Sequence, residues 1–464
     1  MATVEQDLIV DTRLIRKYDR PGPRYTSYPT ADRFVEAYDA KTHAGWLAKR
    51  NIGGIQLPLS LYFHLPFCNT VCFYCACNKV VTKDHGRSTK YIRYLGKELD
   101  LTSRLIDGPR RIEQLHWGGG TPTFFTDAEM TELVGMIREH FDFDPHGEYS
   151  IEIDPRSANA GTFETLGKLG FNRVSLGVQD FNPEVQKAVN RVQPEELTAQ
   201  AITAARANGM KSVSVDLIYG LPKQTVTTFD ETLDRIIALS PDRIALYNYA
   251  HLPTVFKPQR RIAEADLPSP EAKLQILTLA IRRLTDAGYV YIGMDHFAKP
   301  GDELNIARQQ GRLHRNFQGY STRAECDLIA YGVSAISKVG PTYAQNVRSL
   351  DEYYDRLDND ELPIFRGIEL TPDDIVRRAV IQALMCHFEV SIESIEIAHL
   401  INFRRYFADE LAALRSFEDD GLVTSDDQGI SVTPRGRLLV RAIGMVFDRY
   451  LSQGEERARF SKVI

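Results

Sequence analysis

The segment Leu61-Tyr-Phe-His-Leu-Pro-Phe-Cys68-Asn-Thr-Val-Cys72-Phe-Tyr-Cys75-Ala-Cys77 joins a short β-rich run to four cysteines. Three of these cysteines have the spacing C-x3-C-x2-C. A loop with this spacing can wrap one small inorganic core, and iron–sulfur clusters are normally held by cysteine thiolates. Three thiolates leave one iron of a [4Fe–4S] cluster without a protein ligand. The segment therefore predicts a reaction centre and not only an electron carrier.

A structural zinc site is the alternative interpretation of the same cysteines. Such sites usually take two well-separated ligand pairs, whereas here all four cysteines lie in one loop and no second CxxC or HxxxH pair follows. The spacing favours an iron–sulfur cluster held by Cys68, Cys72 and Cys75. The role of Cys77 stays open between a fourth ligand in some states, a group beside the ligands and a thiol near the substrate.

The composition is typical of a globular enzyme and excludes few other classes. The chain has 464 residues, of which 43% are hydrophobic and 25% charged. No apolar run approaches the length of a membrane span, and the amino terminus lacks a signal-peptide pattern. The net charge of −6 argues against a surface that binds polyanions. The remaining Cys326 and Cys386 are expected to be buried thiols, so the predicted compartment is the cytoplasm.

From about residue 57, β-rich runs alternate with longer helical patterns. This alternation predicts parallel strands with crossover helices, in an α/β fold that forms a barrel or partial barrel. The predicted strands are Leu59–His64, Gln114–Trp117, Tyr149–Ile153, Arg173–Val178, Ser212–Asp216 and Arg243–Tyr247. The predicted helices lie near 87–107, 127–141, 161–169, 195–208 and 226–239, and a further unit combines helix 269–287 with strand Tyr289–Gly293.

Polar or glycine-rich residues directly follow several predicted strands. Since the sites of α/β barrels are built at the carboxyl ends of the strands, these residues and the cysteine loop are expected on one rim. Acids and amides that converge there suit ribose hydroxyls and an amino group. For each acid the alternative is a helix cap. The rim residues are Gly118-Gly-Gly-Thr-Pro-Thr123, Glu152, Asp154, Gln179, Asp180 and Asp216.

Three regions are predicted along the chain: an amino-terminal arm (1–50), a catalytic barrel (51–365) and a helical, winged-helix-like domain (366–464). In the arm, Pro23-Arg-Tyr-Thr-Ser-Tyr-Pro-Thr30 is expected to be extended and ordered. In the last region, helices are predicted at Thr371–Cys386, 403–418 and 434–449, with a hairpin at Gly421–Thr433. No dense Lys/Arg face supports nucleic-acid binding, so a covering or docking role is preferred.

Together these motifs resemble the radical S-adenosylmethionine (SAM) superfamily. Within it the chain is similar, over nearly its full length, to the family of oxygen-independent coproporphyrinogen III oxidases. Beyond the cysteine loop and the glycine turn, the matching segments are Pro23–Thr30, Cys77, Gly177-Val-Gln-Asp-Phe181, Asp216–Thr225, Tyr249-Ala-His-Leu-Pro253, Gly293-Met-Asp-His-Phe297, His314–Gly319, Gly332–Ser337 and Phe460-Ser-Lys-Val-Ile464.

A haem-chaperone-like branch of the same family is the nearest alternative. That branch typically has Phe where Cys77 stands and lacks the Pro23–Thr30 segment, so both features favour the oxidases. The family commonly has Phe at the position of Tyr74, and little consequence is expected because an aromatic ring is kept.

The resemblance implies a [4Fe–4S] cluster with three cysteine ligands, SAM at the fourth iron, and two SAM molecules in all. No side chain is assigned as a certain catalytic group, and Cys77 is an accessory candidate. The positions matched to the cluster-bound SAM are Tyr62, Tyr74, Gly119, Glu152 and Ile336. Those matched to the second SAM are Gly120, Thr121, Gln179, Arg191, Asp216 and Ala250.

The implied reaction is the oxygen-independent oxidative decarboxylation of two propionates of coproporphyrinogen III to vinyl groups, giving protoporphyrinogen IX through a 5′-deoxyadenosyl radical. The implied partners are this substrate, an electron donor and an electron acceptor, with no nucleic acid and no membrane span, and the family usually acts as a monomer. Because the substrate carries four carboxylates, cationic partners are expected. Arg24 of the amino-terminal arm is one candidate, and a purely structural arm is the alternative.

Overall fold

The computed structural model describes residues 8–50, 57–324 and 326–451. The segment Phe460–Ile464, which contributes to the resemblance, lies outside the described residues. The chain divides into two compact units. The sheet unit comprises Phe34–Ile276 and Glu325–Glu369, and the helical unit comprises Met1–Arg33, Leu277–Ala324 and Leu370–Ile464. The three-part division with boundaries near residues 50 and 365 remains a proposal.

Six strands of the sheet unit run parallel in chain order, each hydrogen-bonded to the next. They are β1 (Leu59–Leu65), β2 (Arg111–Gly119), β3 (Asp142–Ile153), β4 (Arg173–Gln179), β5 (Ser212–Tyr219) and β6 (Arg243–Asn248). The crossover helices are α1 (Gly86–Leu105), α2 (Asp127–His140), α3 (Ala160–Leu169), α4 (Glu195–Ala207) and α5 (Val226–Leu239), with a short helix Pro183–Ala188 before α4. The predicted alternation and the α/β fold class are confirmed.

A further parallel strand, β7 (Asp327–Tyr331), pairs with the free side of β1. Three antiparallel strands continue the sheet from β7: β8 (Ile336–Val339), β9 (Thr342–Asn346) and β10 (Ile364–Glu369). The strand order in this unit is therefore β10-β9-β8-β7-β1-β2-β3-β4-β5-β6. This order gives the predicted partial barrel, with the carboxyl ends of β1 to β6 at one edge.

Strand β1 is buried on both faces because it lies inside the sheet. Leu61, Phe63 and Leu65 have no exposed surface, and the Phe63 ring stacks on Tyr331 at 4.8 Å between centroids. Parallel strands covered on both sides are typically continuous apolar runs. Burial of each such side chain contributes about 1.5–3 kcal/mol, so β1 anchors the cysteine loop that follows it.

The helical unit contains Thr12–Tyr18, Pro372–His387, Ile392–His399, Phe403–Tyr406 and Ala408–Asp419. Thr371 caps the second of these helices, as predicted, by accepting the backbone N–H of Asp374. The predicted hairpin is also present, with strands Val423–Ser425 and Gly429–Val432, and Glu389–Ser391 adds a third strand. The remaining strands of this unit form two short hairpins, Val290–Gly293 with His296–Ala298, and His314–Asn316 with Gly319–Ser321.

Two helix predictions in this unit are wrong in extent. The predicted helix 403–418 is interrupted at Phe407, where the backbone has φ −107° and ψ 31°. The predicted helix 434–449 is instead a series of short turns: 3-10 segments Arg437–Leu439, Met445–Phe447 and Arg449–Leu451, with an α-helical turn at Val440–Gly444. Tertiary contacts override the helical pattern, because Asp448 is extended and accepts the hydroxyl of Tyr25 at 3.0 Å.

The segment around Tyr25 and Tyr28 is ordered and not helical, as predicted. Both side chains are 1% exposed. The Tyr28 hydroxyl accepts the backbone N–H of Arg449 at 3.3 Å, and Arg24 pairs with Asp295. These contacts give the segment a structural role inside the helical unit. No helix among the described residues has both the length and the apolar character needed to cross a membrane.

Glu98 is a buried carboxyl that joins α1 to the β7 side of the sheet. Its carboxylate accepts the Gly332 N–H at 2.8 Å, the Asn346 side-chain amide at 2.7 Å and the Tyr353 hydroxyl at 2.6 Å. Burial raises the pKa of Glu98 to about 7, although these hydrogen bonds oppose the rise. The folded state therefore binds a proton at Glu98 more tightly than the unfolded chain does.

We expect the apoprotein to lose stability through Glu98 as the pH rises from 5 to 8. The contribution is fully present below the unfolded-state pKa near 4.5 and is lost as the pH rises through the folded-state value of about 7. The shift corresponds to about 3 kcal/mol. Urea unfolding at pH 5 and at pH 8 measures the change in the free energy of unfolding. The Glu98→Gln variant, which has no titratable carboxyl at this position, is the comparison. An identical pH dependence in Glu98→Gln would contradict the assignment to this residue.

Candidate active site

A cavity of about 170 Å³ opens at the carboxyl ends of the parallel strands in the sheet unit. The cysteine loop forms one wall, and residues within or just after β2, β3, β4 and β5 form the others. All four cysteines of the loop line this cavity. Its other lining residues from the predicted site are Tyr74, Gly119, Gly120, Thr121, Glu152, Gln179, Arg191 and Asp216.

The cysteine loop is closed at its base by backbone hydrogen bonds. Phe67–Cys68 pairs in parallel with Val80–Val81, and the Thr82 N–H donates to the Cys68 carbonyl at 2.9 Å. All four thiols are free. Cys68 and Cys72 are 9% and 8% exposed, so their sulfur atoms are largely shielded from solvent. Backbone hydrogen bonds therefore fix the base of the loop, and its thiols face the cavity.

The donor set fits an iron–sulfur cluster better than a single metal ion. Among the described residues, no three His, Cys, Asp or Glu side chains converge on one ion. In a [4Fe–4S] cluster each cysteine binds its own iron, so the sulfur atoms need to surround a cluster and not to share one point. Three free cysteines lining one cavity meet that requirement.

The glycine turn brings backbone to the cavity without side chains. Gly119 has φ +115°, a left-handed conformation that favours glycine, and its N–H donates to Glu152 at 3.1 Å. A Cβ on Gly119 would lie 2.7 Å from the imidazole ring of His64. The turn therefore needs glycine for its conformation and for its packing.

The two acids of the cavity have different electrostatic environments. Burial alone would raise the pKa of Glu152, but hydrogen bonds from His116 at 3.5 Å and from the Gly119 N–H hold it below the ordinary value. Burial raises the pKa of Asp216 to about 7, and the negative charge of Glu152 adds to the rise. Glu152 is thus ionised near neutral pH, while Asp216 is divided between its two states.

Arg191 lies deep in the cavity wall and is 6% exposed. Its guanidinium donates to Asp154 at 3.0 Å and to the Gly177 carbonyl at 2.6 Å. Its Nε atom is buried and has no hydrogen-bond partner among the described residues. A buried guanidinium N–H without a partner indicates that a ligand group or a water completes this site.

Sequence reasoning did not single out Arg156, which the structure places in the same cavity. Asp154, one of the predicted rim residues, lines the cavity and accepts hydrogen bonds from both Arg156 and Arg191. Lys79 was also missed, and its ammonium donates to the Cys75 carbonyl at 3.1 Å. Both residues could have been found from their positions in the sequence, since Arg156 follows the end of β3 and Lys79 follows the cysteines.

Three predicted site residues are absent from the cavity lining. Tyr62, on β1, places its hydroxyl 3.1 Å from His64 Nδ1. Ala250 follows β6, and its carbonyl accepts the Gln259 side-chain amide, which also donates to the Tyr74 carbonyl. Ile336 begins β8.

Asp180 also lies outside the lining, and it is not the helix cap considered for it, because Asn182 caps the helix that follows β4. It is 1% exposed and accepts the Thr232 hydroxyl at 3.0 Å and the Gln224 amide at 2.6 Å. Asp180 therefore stabilises the β4 end and is separate from the acids that face the cavity.

Comparison with known proteins gives matches over the whole chain. Residues 62–236 match the Radical SAM superfamily, and residues 370–439 match the HemN C-terminal domain. The chain is 53% identical over 456 residues to an oxygen-independent coproporphyrinogen III oxidase from Pseudomonas aeruginosa, covering 98% of each chain. It is 48% identical to the oxidase of that name from Escherichia coli, covering 99% of each chain.

A solved structure shares the fold of this chain. It is described as coproporphyrinogen III oxidase (HemN) from Escherichia coli, a radical SAM enzyme. It superimposes with a TM-score of 0.91 at 46% identity, over 96% of this chain and 100% of the solved one. The similarity therefore extends over both compact units.

Proposed function

Because the chain belongs to the oxygen-independent coproporphyrinogen III oxidase family, we propose that the cavity beside the cysteine loop is its active site. The chain is a radical SAM oxidoreductase that uses a [4Fe–4S] cluster and SAM. It converts two propionates of coproporphyrinogen III to vinyl groups and gives protoporphyrinogen IX without oxygen. The observation that supports the location most directly is the meeting of Cys68, Cys72 and Cys75 with Glu152 and Asp216 in one cavity.

Cys68, Cys72 and Cys75 are the proposed cluster ligands. The bound cluster and SAM supply the one-electron chemistry that starts hydrogen abstraction from the substrate. Two contacts position the ligand cysteines. The Thr121 hydroxyl lies 3.4 Å from Cys68 Sγ, and the Lys79 ammonium donates to the Cys75 carbonyl. Cys77 lines the same cavity but is not included among the ligands.

Two SAM molecules are proposed to bind at this site, in the cavity and against residues beside it. The first is assigned to Tyr62, Tyr74, Gly119, Glu152 and Ile336, and the second to Gly120, Thr121, Gln179, Arg191, Asp216 and Ala250. Glu152, ionised near neutral pH, can accept hydrogen bonds from an ammonium or a hydroxyl group. The unpartnered Nε of Arg191 can donate to a carboxylate. Acceptors and a donor of these kinds support the binding of an amino acid and a ribose.

An external electron donor and an electron acceptor are also proposed, because reduction of the cluster and oxidation of the substrate both transfer electrons. We further propose that the chain acts as a monomer in the cytoplasm. Six free cysteines support a reducing compartment. Sedimentation of the cluster-loaded protein checks the oligomeric state.

Anaerobic reconstitution with iron and sulfide, followed by addition of SAM, a reductant and coproporphyrinogen III, tests the function. We expect protoporphyrinogen IX and two molecules of CO2 for each substrate molecule converted. Tight stoichiometric haem binding without either product would instead support a haem chaperone and contradict the assigned reaction.

We expect the affinity for the second SAM to rise as the pH increases from 6 to 8, because burial raises the pKa of Asp216 to about 7. The ionised carboxylate is the stronger acceptor for ribose hydroxyls, and Glu152 and Arg191 are the charged groups that influence it. A pKa near 7 changes the ionised fraction from about a tenth to nine tenths, so the Kd falls by up to about tenfold. Equilibrium binding of SAM measures this. Asp216→Asn is expected to bind weakly with no such pH dependence, and a persisting dependence would contradict the role of Asp216.

A further inference from the structure

Two guanidinium groups converge on the sulfur of a single cysteine in the loop. Arg191 Nη1 lies 3.6 Å and Arg156 Nη2 lies 3.7 Å from Cys72 Sγ, both within hydrogen-bonding range of a sulfur acceptor. The neighbouring Cys68 sulfur receives a different partner, the neutral hydroxyl of Thr121. The sulfur of Cys72 therefore lies in a distinctly cationic environment.

Asp154 holds both guanidinium groups in place. Its carboxylate accepts Arg156 Nε at 3.0 Å and Nη2 at 2.7 Å, and it accepts Arg191 Nη1 at 3.0 Å. A carboxylate engaged by two nitrogen atoms of one guanidinium fixes the plane of that group. One acid and two arginines leave a net positive charge beside Cys72. The Arg156 side chain is 21% exposed and that of Arg191 is 7% exposed, so solvent screens this charge only partly.

A positive charge and N–H···S hydrogen bonds affect the two oxidation states of a cluster unequally. The reduced cluster carries one more negative charge than the oxidised one, so both interactions stabilise the reduced state more. Hydrogen bonds to the ligand sulfurs, net charge and solvent exposure are the protein's means of setting cluster potentials. Donors at Cys72 therefore make the cluster easier to reduce.

We propose that Arg156, oriented by Asp154, is a positioning residue that raises the reduction potential of the cluster through its N–H···S hydrogen bond to Cys72. The proposal rests on the proposed function, because it requires Cys72 to be a cluster ligand. A substitution of Arg156 separates the effect on the potential from an effect on SAM binding better than a substitution of Arg191, since Arg191 is itself assigned to SAM.

The test is a redox titration of the anaerobically reconstituted full-length protein without SAM, followed by electron paramagnetic resonance of the reduced cluster. Arg156→Gln is expected to shift the midpoint potential to a more negative value at an unchanged iron content. Arg156→Lys, which keeps the charge but not the planar donor group, is expected to fall between Arg156→Gln and the unsubstituted protein. Arg138→Gln is the matched control and should leave the potential unchanged, because Arg138, near the end of α2, donates to the Leu169 carbonyl at the end of α3.

An unchanged midpoint in both Arg156 variants at full iron content would overturn the proposal. If Arg156→Gln does not retain iron, the lysine variant decides: a midpoint at or above that of the unsubstituted protein would overturn the proposal equally. Failure of the proposed function has a different signature, since the unsubstituted protein would then form no protoporphyrinogen IX, whatever the midpoint potential of its cluster.

Discussion

Replacement of Cys68, Cys72 or Cys75 by alanine, one at a time, is expected to abolish formation of protoporphyrinogen IX. Each substitution removes the thiolate of one iron, and the remaining two cysteines of the set cannot hold the cluster with one open iron. Iron and sulfide content after anaerobic reconstitution, the visible absorption of the cluster and product formation measure the effect. Each variant is expected to lose all three signals while the apoprotein remains folded.

Cys77→Ala is the matched control for these variants because it changes the same residue type in the same loop. Cys77 also lines the cavity, so its position is comparable. We expect the Cys77 variant to keep the iron content of the unsubstituted protein, whatever the effect on turnover. Loss of iron equal to that of the other three variants would show that four cysteines hold the cluster and would contradict the three-ligand assignment.

Gly120→Ala is expected to disrupt cluster loading although it changes no ligand. A Cβ at this position would lie 2.6 Å from the carbonyl carbon and oxygen of Pro66 and 2.8 Å from the carbonyl oxygen of Phe67. All three atoms are backbone, so no side chain can rotate away. The backbone just before Cys68 must move, at a cost of about 3 kcal/mol, the upper end of the range for overpacking.

Thermal unfolding of the Gly120→Ala apoprotein and the iron content after reconstitution measure this effect. The control is Gly135→Ala, the same change on α2, where an added Cβ meets nothing within 4 Å. In a helix interior that control is expected to stabilise by up to about 1 kcal/mol. Normal iron loading in Gly120→Ala would show that the backbone at Pro66 and Phe67 can move without disturbing the cluster ligands, and it would contradict this prediction.

The site could be predicted in outline because its chemistry is concentrated in short segments. The cysteine loop lies within ten residues, and the glycine turn within six. Glu152 and Asp216 could be placed because each lies near the end of a predicted strand, and parallel strands align their carboxyl ends. The strand that was predicted to end at Asp216 continues to Tyr219 in the structure. Arg191, Ala250 and Ile336 came from resemblance alone, and of these only Arg191 lines the cavity. Tyr62, another position matched by the resemblance, does not line it.

The predicted helix at 434–449 shows where local patterns were insufficient. Val440, Ala442 and Ile443 are all buried, so this segment is enclosed on every side and not only along one stripe. Hydrophobic periodicity describes a helix with one buried face, and it does not report contacts from distant segments. The extended conformation at Asp448 depends on the hydroxyl of Tyr25, more than four hundred residues away in the chain.

The order of strands and helices and the identity of the cysteine loop are properties of the sequence, because periodicity and close spacing are local. The environment of that loop is a property of the folded chain. Asp154, Arg156 and Arg191 meet Cys72 from segments over eighty residues further along the chain. No spacing rule relates such distant positions, so only tertiary packing decided that one cysteine sulfur lies between two guanidinium groups.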